Sequence, residues 1–313
     1  MSGLLFPPAG QGMLKRMVRL QRKKYREEEE MFLAEGVRTV RELLLHLPDP
    51  DSLVALFLTP DAEALLPEAE AYSGKVLSVD SVDFLRMTGT ETPQGVAGVF
   101  RQPRFCPLEE LPVGGEGRMV VALDGVQDPG NAGTILRTAA WFGADALLSG
   151  PGTVDLYNPK TVRSSAGSTL SLPHYSVNNL ETELEGLQRN GYEVVCSSLK
   201  GHDFREFPDW PARKVLVVGN EANGISEGRS LPCRPVGAYS PWQGRDAGRI
   251  AQCIGVGGCS PRQAYAVAGC SQSVSSCVFA SVGSEGCRWT GSVFLARSRM
   301  LSISTDTEKA MAK

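Results

Sequence analysis

The sequence predicts an α/β protein of two successive domains, and three observations carry that expectation. Short apolar runs alternate with stretches of helical period in two separate series, one over residues 13–101 and one from 117 onward. A stretch rich in Pro, Gly and Glu, from Gln102 to Gly117, divides them. In the second series, loops rich in Gly, Asn and acidic residues directly follow apolar strands, where open parallel sheets carry their ligands. The 313 residues are 42% hydrophobic and 21% charged, an ordinary soluble composition. A net charge of −3 excludes a globally basic nucleic-acid binder but leaves room for a local basic patch. No run approaches the roughly 18 apolar residues of a membrane span and no secretory leader precedes the first charges, so the expectation is a cytoplasmic protein.

The first domain opens on seven basic side chains in the twelve residues from Lys15 to Arg26, followed at once by Glu27 to Glu30. Leu14, Met17 and Val18 recur at helical spacing, which predicts one amphipathic helix with a cationic face. Charge alone supports a merely solvated helix equally well. Strands are predicted at Phe32 to Ala34, Leu53 to Leu58, Lys75 to Val79 and Val96 to Phe100. Helices are predicted at Val37 to Leu47 and Pro60 to Ala69.

The second domain, residues 117–262, begins with strand Met119 to Leu123, helix Ala132 to Phe142 and strand Ala146 to Leu148. A helix around Lys160 to Ser165, a strand near Leu172 to Tyr175 and helix Leu180 to Arg189 come next. Strands Tyr192 to Cys196 and Val215 to Val218 complete the series, so a mainly parallel sheet is expected. Past Glu227 the order stops. Gly, Ser, Cys, Arg and Gln dominate there, and residues 263–313 are expected to be an unstructured tail. Six of the eight cysteines follow Leu231, with only Cys106 and Cys196 before it. None has C-x-x-C or Cys/His zinc spacing, so no metal site is expected.

Several generic motifs fail on inspection. No strand leads into G-x-G-x-x-G, and Ile225 stands where the lysine of a P-loop must be after Gly219 to Gly224. Gly224 to Gly228 spells G-x-S-x-G, but it is not at a strand end, and His46, His174 and His202 all lie upstream of it. A nucleotide-dependent oxidoreductase has only the α/β alternation in its favour.

Two loops carry more. Asp128-Pro129-Gly130-Asn131-Ala132-Gly133 ends a strand and opens a helix bearing Arg137, with Asn131 as the expected N-cap. Gly219-Asn220-Glu221-Ala222-Asn223-Gly224-Ile225-Ser226 follows the very apolar strand Val215 to Val218. Alone, the first is an ordinary capped helix and the second an ordinary turn; as an ordered pair they are specific. Asn131 to Arg137 resembles motif 1 of the SpoU/TrmH family of RNA ribose methyltransferases, and Gly219 to Ser226 resembles its motif 2. Asn158-Pro159-Lys160, Arg163 and Ser165 to Ser168 are similar to the family's intervening segment. Arg22 to Arg26, Phe32 to Gly36 and Thr90 to Val96 are similar to its substrate-binding domain. The resemblance implies a small L30e-like α/β domain followed by a SPOUT trefoil-knot α/β methyltransferase domain that forms a homodimer. It implies S-adenosylmethionine as donor and a ribose 2′-hydroxyl of rRNA or tRNA as acceptor.

On that resemblance, Arg137, Asn131 and Glu221 are the catalytic candidates, with Arg137 supplying positive charge at the reacting oxygen. Asn131 would orient Arg137 or the ribose. Gly219, Asn220, Glu221 and Gly224 would hold the cofactor. Arg22, Lys23, Lys24, Arg26 and Arg163 would grip RNA phosphates without reading sequence.

The family's third motif, close to I-P-M-x-G and then S-L-N-V-S-V-A, is absent from the written frame. Among the possible codons for Arg249-Ile250-Ala251-Gln252-Cys253-Ile254-Gly255-Val256 are sets that, read one nucleotide later, can spell E-S-L-N-V-S-V. Tyr239 to Trp242 similarly permits I-P-x-G, and Val256 to Gln263 permits a good helix. The inference is a frameshift between about Glu227 and Tyr239, which also accounts for the cysteine crowding. Loss of that segment is further expected to leave strands Met119 to Leu123 and Val215 to Val218 with uncovered apolar surface.

Overall fold

The computed structural model describes residues 6–110, 118–198, 202–203 and 210–226, and the backbone of strands at 234–237, 265–267 and 279–281. Its first lobe is a four-stranded mixed sheet: β1 (Met31–Glu35), β2 (Leu53–Leu58), β3 (Val76–Ser78) and β4 (Val96–Arg101), in the order β1-β4-β2-β3. Strand β4 runs antiparallel to β1 and β2, and β3 parallel to β2. Alternate residues point to opposite faces, so Leu56 and Phe100 enter one core while Phe57 and Val99 enter the other. Helix α3 (Val37–Leu45) covers the first face, and α1 (Gln11–Arg19) with α4 (Ser81–Thr88) covers the second.

The single cationic helix expected over Lys15 to Arg26 is two helices, α1 and α2 (Lys23–Glu29). The break at Leu20 to Arg22 is stabilised from outside the helices. Arg22 is extended, the Arg26 guanidinium donates to the freed Leu20 carbonyl at 2.7 Å, and the Gln21 amide donates to the carbonyls of Met87 and Thr88. The helix expected from Pro60 is a pair of 3₁₀ segments, Pro60–Leu65 and Pro67–Lys75. Pro67 lacks an N–H and forces Leu66 out of helical geometry, which accounts for the split. Helix α4 was not anticipated, although Asp80 caps it through Val82 N and Asp83 N and Gly89 closes it in the left-handed region.

The second lobe is a seven-stranded sheet in which every pairing is parallel. Its strands are β5 (Arg118–Asp124), β6 (Ala146–Ser149), β7 (His174–Ser176), β8 (Glu193–Ser198), β9 (His202–Asp203), β10 (Arg213–Gly219) and β11 (Arg234–Gly237). The order β7-β6-β5-β10-β8-β11-β9 puts the chain's reversal of direction between β5 and β10. Helix α5 (Pro129–Trp141) covers one face, where Val121, Ile135, Leu136 and Val218 pack together. On the other face α7 (Leu180–Arg189) buries Leu184 against Val120, Val215 and Val217. Strands β5 and β10 are therefore buried, against the expectation that they would be left uncovered. Helix α6 (Pro159–Ser165) lies between α5 and the first lobe.

Order does not stop at Glu227, since β11 joins the sheet beside β8. The stretch expected to be unstructured contains the antiparallel pair β12 (Tyr265–Val267) and β13 (Phe279–Ser281), formed on two short apolar runs. The segment assigned to the displaced third motif, Tyr239 to Val256, lies outside the described residues, as does most of the tail.

His174 on β7 gives the second lobe an acid-sensitive point. Its Nδ1 donates to the Leu172 carbonyl at 2.9 Å, its Nε2 is buried without a partner, and the rings of Phe105 and Tyr157 each lie 5.1 Å away. Burial pushes its pKa below the ordinary value of about 6.5, with the Leu172 carbonyl and Asp155 opposing. The folded state thus holds the ring neutral. This contribution is complete above about pH 6.5 and is lost as pH falls from there through the folded pKa. Urea midpoints at about pH 7 and pH 5 should differ less for His174→Asn than for the parent; equal losses would show that the acid sensitivity lies elsewhere.

Candidate active site

Three loops converge at the carboxyl ends of β5, β6 and β10, the position at which the topology opens a crevice in a parallel sheet. Gly125 after β5 donates its N–H to Thr153 Oγ1 in the loop after β6, at 3.2 Å, and accepts from Asn220 Nδ2 after β10 at 2.8 Å. Asn220 also closes its own turn. Its N–H and carbonyl pair with Gly224 at 2.7 and 2.9 Å, and its Oδ1 accepts from Ala222 N and Asn223 N. A Cβ on Gly219 would sit 2.3 Å from the Gly224 carbonyl carbon, so the turn itself demands glycine there.

Glu221 ties the two motif loops together. Its carboxylate accepts from Gln127 N at 3.2 Å, Asp128 N at 3.2 Å and Asn131 Nδ2 at 3.0 Å. Asp128, not Asn131, caps α5 by accepting from Asn131 N at 2.8 Å, and Pro129 takes the first helical turn. The helix therefore starts three residues before Ala132, and the Asn131 amide is left free to reach Glu221. Asp124, buried at the end of β5, accepts from Ser226 N and Ser226 Oγ at 2.8 and 3.1 Å and anchors the far end of the turn. Sequence reasoning passed over Asp124 and Asp128, although an Asp at a strand end followed by Gly, and an Asp three residues before Asn131, are signals in the sequence itself.

Arg137 is exposed on α5, and no described residue pairs with it. Helical spacing puts it on one face with Gly130, Thr134 and the 65% exposed Trp141. It does not meet Asn131, whose side chain is taken up by Glu221.

The predicted phosphate-binding cations separate into three environments. Arg22 is exposed, and Lys23 and Lys24 are exposed with weak i,i+4 pairs to Glu27 and Glu28 at 3.5 and 3.7 Å. Arg163 is half-exposed, with Nη1 donating to Glu35 Oε2 at 3.0 Å and Thr90 Oγ1 at 3.3 Å. Arg26 corrects the expectation outright. It is 2% exposed, and its guanidinium is spent on Asp155 and the Leu20 carbonyl, so it cannot grip phosphate. Among the described residues no cluster of His, Cys, Asp and Glu could hold a metal, and no helix is long and apolar enough to cross a membrane.

Comparison with known proteins follows the same division. Residues 118–233 match the SpoU rRNA Methylase family, and residues 12–98 match the MRM3-like substrate binding domain. The chain is 35% identical over 209 residues to the 23S rRNA (guanosine(2553)-2′-O)-methyltransferase RlmP of Bacillus subtilis (strain 168), covering 66% of this chain and 78% of that protein. It is 30% identical to the human mitochondrial rRNA methyltransferase 3 over 169 residues, 51% of this chain but only 37% of that one. The crystal structure of an AdoMet-bound rRNA methyltransferase from Sinorhizobium meliloti superposes with a TM-score of 0.63 at 30% identity, covering 77% of this chain and 90% of that one.

Proposed function

The chain belongs to the SpoU rRNA methylase family, and on that footing we propose that it transfers a methyl group from S-adenosylmethionine to a ribose 2′-hydroxyl of rRNA, or of tRNA. The observation that carries the reading is the Glu221 carboxylate, which joins the loop of Asp128 and Asn131 to the turn of Gly219 to Gly224 at the sheet's switch point. The rim suits an extended nucleoside-like donor, because Gly125, Gly152 and the Asn220–Gly224 turn offer backbone and small residues rather than bulky side chains. S-adenosylmethionine, when bound, supplies the methyl. Gly219, Asn220 and Gly224 would form its wall, and Glu221 would keep that wall in register with α5.

Displacement at a sulfonium needs alignment more than acid–base power. The acceptor oxygen gains the methyl and loses its proton to solvent, and Arg137 stabilises the negative charge that builds there. A role as base is disfavoured, because a guanidinium holds its proton in proteins and would have to give it up before it could accept another. The proposal extends to the homodimer and trefoil knot that the family likeness implies, and to action in the cytoplasm. For the acceptor, rRNA is favoured because the RlmP relative is named for 23S rRNA.

RNA capture is assigned to Arg22, Lys23 and Lys24, with Arg163 at the junction of the lobes. Binding through such cations releases counterions, so log affinity should fall steeply with log salt. Reversing Arg22, Lys23 and Lys24 to Glu should weaken binding to an rRNA fragment and flatten the salt slope. A triple variant with the parent's slope would remove this patch from the RNA interface.

A specific observation favours a second reading for the chain as written, that it binds RNA without transferring methyl. The match to the methylase family ends at residue 233, before the segment that should carry the third motif. Incorporation of tritiated methyl into RNA supports the first reading, and RNA retention without incorporation supports the second. Sequencing the gene across codons 227 to 256 locates the cause.

A further inference from the structure

Helix α6 is shared between the two lobes, and each of its sides is held differently. Toward the motif loops, Gly133 of α5 comes so close that a Cβ there would lie 2.4 Å from the Thr161 carbonyl oxygen, and Ser164 Oγ donates to the Pro129 carbonyl at 3.1 Å. Lys160 Nζ reaches Asp128, the cap of α5, at 3.4 Å. Toward the first lobe, Val162 is buried in the core of Phe32, Val40 and Leu43, and Arg163 pairs with Glu35 at the end of β1. Gly167, just past the helix, has no room for a Cβ beside Glu42 of α3.

Just before α6, Asp155 receives Nε and Nη2 of Arg26 at 2.8 and 2.5 Å, across 129 residues of sequence. The same carboxylate accepts from Tyr157 N at 3.0 Å, and the Tyr157 ring lies 5.2 Å from Phe32 of β1. The linker is docked too. Gln102 donates to the carbonyls of Arg26 and Met31, and Tyr175 donates to the Cys106 carbonyl at 2.8 Å. Both lobes fall within one compact unit.

We infer that Arg26 and Asp155 are positioning residues: as a buried pin beside α6, they hold the RNA-binding lobe at a fixed orientation to the loop of Asp128, Asn131 and Glu221. The inference rests on the methyl-transfer reading for its purpose but not for its geometry. A buried ion pair is a poor source of net stability, because desolvation offsets attraction. What it supplies is placement, since two guanidinium N–H groups converge on the single oxygen Asp155 Oδ2 while a third donates to the Leu20 carbonyl, so the planar group is held from both lobes. Held this way, the lobe presents RNA to Arg137 at one distance, and the nucleotide methylated is set by the separation of patch and site.

The test uses Arg26→Met with Asp155→Leu, a pair that removes the pin while leaving no buried charge unpaired; Asp155→Asn alone risks unfolding. Nitroxide labels on para-acetylphenylalanine at the exposed positions Val82 and Glu185 report the lobe-to-lobe distance in the full chain. The parent should give one narrow distribution and the double variant a broad one. In the frame-restored chain, kcat should fall about tenfold or more with S-adenosylmethionine affinity unchanged, and methylation should spread to neighbouring nucleotides. An unchanged distance distribution overturns the inference whatever the activity. If the parent transfers no methyl in either frame, the functional reading fails while the distance measurement still decides the pin.

Discussion

Deleting a single nucleotide within codons 228 to 238 is expected to convert a chain that transfers no methyl into one that does. The two motif loops are held together without any change. Glu221 bridges the two motif loops, Asp124 anchors Ser226, and Asp128 caps α5. The written residues Tyr239 to Val256, however, do not spell the third motif, with its Ser and Asn, that the family resemblance implies for the donor site. A donor held from one side is neither tightly bound nor aligned, and alignment is most of what a displacement at sulfur asks of its enzyme. The loss therefore falls on donor affinity and turnover. Aggregation is a smaller consequence than the sequence suggested, because β5 and β10 are already buried between α5 and α7. Calorimetric binding of S-adenosylmethionine and tritiated methyl transfer to unmodified rRNA and tRNA, before and after repair, measure both effects. Equal binding and equal transfer by the unrepaired chain would end the frameshift argument and make residues 239 to 256 a working pocket.

The elements legible in the sequence were those whose signal is local. Strand β2, with the apolar run Leu53–Leu58, and helix α7, with its 3.6-residue period, stand close to where their patterns put them. Where the sequence misled, a distant partner had overruled the pattern. Seven basic residues in twelve read as one cationic helix, yet a partly buried Asp155 far along the chain claims Arg26, and Arg26 in turn satisfies the carbonyl at the break. The same remoteness hid the role of Asn131. An Asn at the start of a helix reads as a cap, and only the return of β10 beside β5 brings Glu221 to its amide. Gly219 was legible as a glycine that matters and Gly133 only as part of a motif, but the surface that needs each was not. The crowding atoms belong to α6 in one case and to the glycine's own turn in the other.

Arg137→Ala in the frame-restored chain is expected to lower kcat by about two to three orders of magnitude while leaving the affinity for S-adenosylmethionine unchanged. The structural grounds are that Arg137 supports nothing described. It is exposed on α5, no described residue pairs with it, and the helix is held by Gly133, Asp128 and its buried face instead. Removing it should therefore leave the fold intact, and near-equal urea midpoints for parent and variant check that. An arginine kept exposed beside a built loop has its full charge to offer an oxygen that becomes negative only as the methyl arrives. An interaction made in the transition state and not before it lowers kcat and kcat/KM together. Arg137→Lys separates the remaining roles: a pure point charge recovers part of the rate, whereas a forked donor aimed at ribose and phosphate together does not. The pH profile of the lysine variant tells base from electrostatic stabiliser, because a lysine acting as base makes the rate rise as it loses its proton at alkaline pH, whereas one acting by charge makes the rate fall there. Loss of donor binding with unchanged chemistry in Arg137→Ala would move this residue from the acceptor side of the site to the cofactor side.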